Sequence, residues 1–200
     1  MKRREVLQQA TAILGYAITG PALAGILNGC QATPGLAFRP EFFSADQATL
    51  VAALTEIIIP RTDTPGAIDA GVPMFIDRML KEIYLKESQD VFLKGLSDFD
   101  NGARERYNKA FMDCSDEEKL AYFKNQHDAV MDKGGSGYSG SFWAATEKNS
   151  KPFMVELKEL TLLGFFTSEL GATKVLQYNQ VPGPYKGCVP LAEVGKTWAT

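Results

Sequence analysis

The sequence predicts an all-α protein with a single helical domain of about five helices and an irregular Pro/Gly-rich C-terminal tail. Apolar residues recur at three- and four-residue spacing in five stretches after residue 43, which is the period of an amphipathic helix. Ser44 and Ser115 each begin a capping box, in which a Gln or Glu three positions later bonds back to the start of the helix. With 45% apolar residues, the chain can form a packed core.

Residues 1–29 have the layout of an export signal. A positive segment, Lys2-Arg3-Arg4, precedes an apolar run from Ala10 to Leu27. Arg3 and Arg4 resemble a twin-arginine signal, the bacterial address for proteins exported in the folded state. Residues 27–30, Leu-Asn-Gly-Cys, resemble a lipobox, which implies that Cys30 is lipidated and becomes the first residue of the mature chain.

Two other interpretations of the apolar run stay open, an uncleaved membrane anchor and a buried helix. Its 18 residues reach the lower length for crossing a hydrocarbon core of about 30 Å. Polar and helix-breaking residues dilute the run, which favours a cleaved signal: Thr11, Gly15, Thr19, Gly20, Pro21 and Gly25. The preferred interpretation is a periplasmic lipoprotein attached to the membrane.

The chain after the signal is long enough for one domain. We assign residues 30–43 to a linker and residues 44–200 to the helical domain. The whole chain has a net charge of −3 and the signal carries +2, so the remainder carries −5. An acidic chain with no basic cluster outside its signal lacks the electrostatic footprint of a nucleic-acid-binding protein.

Apolar stripes define the first three helices. The first runs from Ser44 to Pro60, the second has Pro73 in its first turn, and the third spans about residues 87–109 with a weak point at Asn101-Gly102. The residues expected to face the core are Leu50, Val51, Leu54, Ile57 and Ile58 in the first, Phe75, Ile76, Met79, Leu80 and Ile83 in the second, and Val91, Phe92, Leu96 and Phe99 in the third.

A glycine-rich stretch separates the last two helices. The fourth helix begins at Ser115 and is expected to turn Leu120, Phe123 and Val130 inward. Residues 135–140 formally match the dinucleotide pattern G-x-G-x-x-G, but no strand precedes them, so we interpret them as a loop. The fifth helix, about residues 152–170, is apolar on several sides, which predicts a central helix or one with a second face for a partner. Gly171 is expected to end it.

The tail and the cysteines each leave alternatives. Residues 181–190 are too rich in Pro and Gly for a helix, and form either a strap over the core or an arm around a partner.

If Cys30 is lipidated, two cysteines remain, Cys114 and Cys188. An even number of cysteines in an oxidising compartment favours a disulfide between them. Two free thiols, or a bond from one cysteine to a partner chain, are the other outcomes. Their spacing excludes a C-x-x-C redox pair, a c-type haem motif and a zinc ribbon.

No group of residues has the pattern of a catalytic site. His127 is the only histidine and falls on a polar helix face, while Ser136, Ser139 and Ser141 lack a nucleophile-elbow motif. Asp63 and Asp69 flank a Pro-Gly turn and are interpreted as turn-forming residues. Arg61 is expected to pair with Asp63. We therefore assign no catalytic, cofactor-binding or metal-binding residue to this chain.

Two stretches resemble the gluconate 2-dehydrogenase subunit 3 family. The first is residues 55–67, Thr-Glu-Ile-Ile-Ile-Pro-Arg-Thr-Asp-Thr-Pro-Gly-Ala, continued by Gly-Val-Pro at 71–73 and Phe-Ile-Asp at 75–77. The second is residues 165–172, Phe-Phe-Thr-Ser-Glu-Leu-Gly-Ala, followed by the Pro-Gly-Tyr-Gly-Cys-Pro pattern of residues 182–190. The resemblance extends over about residues 42–192.

This resemblance implies a small, non-catalytic partner of a periplasmic flavoprotein that oxidises sugars or sugar acids. FAD would belong to the large subunit and c-type haem to a cytochrome c subunit, and this chain would aid export and stability of the large subunit. The candidate interface residues are Pro60, Arg61, Asp63, Pro65, Gly66, Pro184, Tyr185 and Gly187. The alternative function is a free-standing helical envelope lipoprotein that binds a ligand or a protein partner.

Overall fold

The structure is a computed structural model that describes residues 38–132, 151–178, 181, 183, 184 and 187–199. Nearly all of them belong to one compact unit, Pro40–Thr200. The export signal with Arg3, Arg4 and Cys30, the glycine-rich stretch at 135–140, and Tyr185 lie outside the described residues. The predictions made for them stay predictions.

Six α-helices form the described part of the chain: α1 (Ala45–Ile58), α2 (Val72–Glu82), α3 (Lys86–Tyr107), α4 (Asp116–Asp132), α5 (Phe153–Phe166) and the short α6 (Leu191–Val194). A 3-10 turn spans Phe111–Asp113 and a π-helical turn spans Gly171–Val175. Extended backbone pairs among the described residues only at one bridge, between Gln177 and Trp198. The predicted all-α single domain is confirmed.

Among the residues that the structure describes, no helix is both long enough and apolar enough to span a bilayer.

Both predicted capping boxes are present. The Ser44 side chain accepts a hydrogen bond from the Gln47 amide at 3.2 Å, and the Gln47 side chain accepts from the Ser44 amide at 3.0 Å. Ser115 and Glu118 make the same reciprocal pair at the start of α4. These bonds satisfy amide groups that the first helical turn leaves without intrahelical partners.

The most apolar helix, α5, lies at the centre of the domain. It packs against each of the four preceding long helices, and its Leu157 and Leu160 are fully buried. Aromatic rings fill the space between α3, α4 and the start of α5, with Phe99 in edge contact with Phe111 and Tyr122. Of the two alternatives that the sequence left open for this helix, the structure shows the central position.

Three residues predicted to face the core are exposed instead, and one of them, Val91 of α3, is 39% exposed. Ile83 is 47% exposed because α2 ends at Glu82, just before it. Tyr84, which follows Ile83, takes the buried position instead. Leu120 is 58% exposed because α4 turns Tyr122 inward, and a residue two positions away lies about 200° around the helix axis.

Gly102 and Gly171 have structural roles that differ from those the sequence predicted. Helix α3 continues through Gly102, which leaves room for the Tyr122 hydroxyl as it donates to the Phe99 carbonyl at 2.9 Å. Helix α5 ends at Phe166, before Gly171, and Gly171 instead opens the π-helical turn. Its amide donates to Ser168 Oγ at 3.0 Å, and Ser168 Oγ donates to the Phe165 carbonyl at 2.7 Å.

A buried carboxylate holds the segment before α1. Asp77 of α2 is 1% exposed and accepts hydrogen bonds from three successive amides, those of Glu41, Phe42 and Phe43, at 2.8–3.1 Å. The end of the stretch assigned to a linker is therefore fastened to the helical domain.

Candidate partner-binding surface

The loop between α1 and α2, residues 59–71, is closed by bonds to its own neighbourhood. Glu56 in the last turn of α1 accepts from the Arg61 amide with Oε1 and from the Ile68 amide with Oε2, both at 2.9 Å. The Ala67 amide donates to the Ile59 carbonyl at 2.9 Å. Because one carboxylate and one carbonyl bridge both sides, the loop is held in a defined shape before any partner binds.

Arg61 pairs with Asp69 across this loop, and the expected pair with Asp63 is wrong. The Arg61 Nε donates to Asp69 Oδ2 at 2.6 Å, and the Gly66 amide donates to the same oxygen at 3.1 Å. The Arg61 hydrogen bond, and after it the Gly66 amide, lower the pKa of Asp69 below its usual value. Asp63 accepts from the Thr62 hydroxyl instead, so both aspartates act as turn-forming residues, as predicted.

A groove of about 340 Å³ lies beside the loop, between α2 and the end of α5. We call it the α2–α5 groove, and its lining residues are Ala70, Gly71, Met74, Phe75, Arg78, Met79, Glu82, Ile83, Gly164, Thr167 and Ser168. Met74 is 38% exposed and Ile83 47%, and Ile68 in the adjacent loop is 41% exposed. The loop that resembles the family motif is thus continuous with an apolar depression.

The groove has a charged rim. Arg78 and Glu82 lie four residues apart on α2, and neither forms an ion pair within the part of the chain that the structure describes. Apolar side chains surrounded by polar ones are typical of protein-binding surfaces. Met74 and Met79 add unbranched, adaptable side chains of the kind found at such surfaces.

The C-terminal tail is closed into a loop by Gln177. Its amide donates to the Thr197 carbonyl at 2.9 Å, its carbonyl accepts from the Ala199 amide at 2.7 Å, and its side chain donates to the Val194 carbonyl at 2.5 Å. The candidate residues Pro184 and Gly187 are exposed. The described residues from 181 to 188 therefore lie at the surface.

The two cysteines differ in environment. Cys114 is 6% exposed and its thiol is 3.5 Å from the Ala110 carbonyl, whereas Cys188 is exposed. Both are free thiols in the structure, so the expected disulfide is not formed in this conformation. The state of the thiols in the exported protein stays a prediction.

A buried polar cluster lies directly behind one end of the groove. The Tyr84 hydroxyl, at the turn after α2, donates to Glu156 Oε1 of α5, and both residues are more than nine-tenths buried. Lys151 forms an ion pair with Glu159 beside them. Burial raises the pKa of Glu156, while the Tyr84 hydrogen bond and the charge of Lys151 oppose that shift in part. Burial also raises the pKa of Tyr84.

Sequence reasoning missed this cluster and the role of Glu56. Glu156 stands in the most apolar stretch of the chain, and a carboxylate among such residues was the available signal. Glu56 lies within the stretch that resembles the family, but only the folded loop shows that it binds two amides from opposite sides.

Other polar groups are bonded within the fold. His127 was expected on a solvated face, but it is half-buried, with Lys158 of α5 at 3.1 Å from its Nε2. A second groove, of about 440 Å³ between α1 and α3, contains Asp100, which binds the Phe111 amide and Arg104. Within the described ranges, no cluster of His, Cys, Asp and Glu has the arrangement of a metal site.

These features define a small helical domain with a hydrogen-bonded loop beside an apolar groove. Residues 45–183 match the family model of gluconate 2-dehydrogenase subunit 3, and the chain belongs to this family. Membership implies association with other subunits of a dehydrogenase complex. No curated protein and no solved structure matches the chain.

Proposed function

We propose that this chain is the non-catalytic small subunit of a periplasmic, membrane-associated, FAD-dependent sugar or sugar-acid dehydrogenase. The observation that carries the proposal is the family match over residues 45–183, which names a subunit of an oxidoreductase. The role of this small subunit is to aid export and stability of the large flavoprotein subunit. FAD belongs to that subunit, and c-type haem to a cytochrome c subunit of the same complex.

The α1–α2 loop and the α2–α5 groove form the proposed docking surface for the flavoprotein. The hydrogen bonds of Glu56 hold the loop in one shape before binding, so the loop loses little conformational entropy when the flavoprotein binds. The groove offers apolar area at Met74 and Ile83 and a charged rim at Arg78 and Glu82. The exposed tail residues Pro184 and Gly187 form a second contact of the same subunit.

The N-terminal signal supplies localisation in this proposal. Arg3 and Arg4 direct export of the folded complex, and lipidated Cys30 attaches it to the membrane. A single acyl chain binds a bilayer only weakly, so the full lipoprotein modification or a second membrane-bound subunit completes the attachment.

Co-purification from membranes tests the proposal. The tagged full-length chain should bring down a large subunit with a flavin absorbance spectrum. Ile83→Asp should reduce its recovery at least about tenfold, because a carboxylate would be desolvated in the groove. Leu120→Asp, at an exposed apolar position on α4 away from the groove, is the matched control and should leave recovery unchanged.

Two results would contradict this function. Recovery of the chain without any flavoprotein would favour the free-standing envelope lipoprotein. Equal loss of the flavoprotein in both variants would exclude the groove as its docking surface.

A further inference from the structure

The two walls of the α2–α5 groove differ in the size of their side chains. Met74 and Met79 line it from α2, whereas the residues that line it from α5 and its end are the small Gly164, Thr167 and Ser168. Small residues on one wall leave room for bulky side chains from another chain, and methionines adapt their shape to what they contact. The groove is therefore suited to a bulky element that lies along α2.

Polar groups in the groove are already bonded within the fold. The backbone amides of Gly71, Ile83, Thr167 and Ser168 donate to carbonyls of this chain at 3.0–3.1 Å. The hydroxyls of Thr167 and Ser168 donate to carbonyls of α5, at 2.6 and 2.7 Å. These donors are not available to the backbone of a bound peptide.

This bonding pattern favours a helix over an extended peptide as the occupant of the groove. An extended peptide relies on the surface it binds to satisfy its amides and carbonyls, as in strand addition to the edge of a sheet. Both walls of the groove are helical, and backbone polar groups buried without partners cost free energy. An α-helix bonds its own backbone and presents only side chains to the groove.

The dimensions of the groove match one face of such a helix. The α2 wall, Val72–Glu82, has 11 residues and is therefore about 16 Å long, or three turns. A helix with its side chains is about 10–12 Å across, so a groove of about 340 Å³ holds the side chains of one face only. The other face of the occupant stays outside the groove, as in an amphipathic helix on the surface of a larger protein.

The charged rim adds a pattern that the occupant has to match. Arg78 and Glu82 are exposed and lie four residues, or about 6 Å, apart along α2. Neither takes part in an ion pair among the described residues. Two opposite charges at this spacing are complementary to an acidic and a basic residue one turn apart on a neighbouring helix.

We propose that the α2–α5 groove binds an amphipathic α-helix of the flavoprotein subunit. The apolar stripe of that helix lies in the groove, and an acidic and a basic residue one turn apart lie opposite Arg78 and Glu82. This inference rests on the proposed function, in which the family match supplies the partner. The competing occupant is α2 of a second copy, since Arg78 and Glu82 would also pair with each other across two antiparallel α2 helices.

Photocrosslinking in the co-purified complex tests the helix. A photoreactive phenylalanine replaces Met74 in one variant and Glu82 in another, at exposed positions eight residues, or about 12 Å, apart on α2. Along a partner helix the two crosslinked positions should differ by about eight residues, because both helices rise by about 1.5 Å per residue. Along an extended segment they would differ by about four, at about 3.3 Å per residue. The matched control carries the photoreactive residue at Leu120 of α4 and should not crosslink to that segment.

Charge reversal tests the rim. Arg78→Glu should lower flavoprotein recovery at least about fivefold, because it places two acidic groups opposite each other. Lys124→Glu, at an exposed position on α4, changes the net charge equally and should leave recovery unchanged. Adding Glu82→Arg to Arg78→Glu restores the net charge but not the pairing with the flavoprotein, so recovery should stay low. In an antiparallel pair of two copies, the same double change would restore the pairing.

The outcomes separate this inference from the proposed function. Recovery of the flavoprotein with crosslinks about four residues apart would overturn the helix and leave the proposed function supported. Crosslinks between the α2 helices of two copies, or binding restored by the double charge change, would overturn the flavoprotein as the occupant. Absence of any flavoprotein from the purified material would overturn the proposed function and this inference with it.

Discussion

At the scale of single residues, Asp77 joins the segment before α1 to the helical domain. Its carboxylate is fully buried and is the acceptor for three successive amides. Hydrogen bonds to a charged acceptor are each worth about 1.5–3 kcal/mol, and buried amides left without an acceptor are costly. One side chain on α2 therefore fixes where the chain enters the domain.

Asp77→Asn should lower the free energy of unfolding by about 2–3 kcal/mol, since the amide nitrogen would face an N–H donor. Asp98→Asn removes an exposed carboxylate paired with Lys94 one turn away, and should cost under about 0.5 kcal/mol. Urea unfolding followed by circular dichroism measures both. Equal losses in the two variants would contradict the structural role of Asp77.

Glu156 should make stability depend on pH. Because its pKa in the folded chain is raised, the stability it contributes is complete below the ordinary glutamate pKa and is lost as the pH rises through the raised value. The difference in unfolding free energy between Glu156→Gln and wild type should therefore grow in favour of Gln as the pH rises above the ordinary glutamate pKa. Urea midpoints at each pH measure it, and a constant difference would exclude the effect.

At the scale of elements, the α1–α2 loop combines a backbone turn with side-chain closure. Gly66 is buried where the Glu56 carboxylate and the Arg61 amide approach, and an added Cβ would lie 2.7 Å from the Arg61 nitrogen. The glycine is needed for this close approach, so the family-like Pro-Gly-Ala sequence has a steric basis.

Gly66→Ala should destabilise the protein by about 1–3 kcal/mol, because the loop backbone and Glu56 must both move. It should also weaken flavoprotein recovery in the co-purification. Thr64→Ala, in the same loop, removes only a contact with the Thr62 hydroxyl and should stay within about 0.5 kcal/mol of wild type. A Gly66→Ala variant as stable as Thr64→Ala would show that the loop has another low-energy shape.

At the scale of the whole molecule, the thiols test how the tail is held. A disulfide between Cys114 and Cys188 would close a loop of about 75 residues and stabilise the protein by about 4 kcal/mol in the loop-entropy description. Cys114 is buried and Cys188 exposed, so this bond requires the tail to move. Non-reducing peptide mapping of the exported protein should give a Cys114–Cys188 linked peptide, and two alkylatable thiols would contradict it.

Export and anchoring can be tested in cells. Arg3→Lys combined with Arg4→Lys should block export, and Cys30→Ala should release soluble protein or block maturation. A fatty-acid analogue should label wild type and not Cys30→Ala. An unlabelled wild type would exclude lipidation.

The sequence by itself determined the helical class and both capping boxes, because periodicity and cap chemistry are local properties. Its motifs also indicated the family. It left two roles open for α5, and only the packing of the helices decided for the central one. Only the tertiary structure decided that Ile83 and Leu120 are exposed, that Arg61 binds Asp69, and that Asp77, Tyr84 and Glu156 are buried with partners. Asp77 lies 34–36 residues from the amides it binds, and Tyr84 lies 72 residues from Glu156. Such pairs form when helices pack, and no short stretch of sequence records which faces will meet.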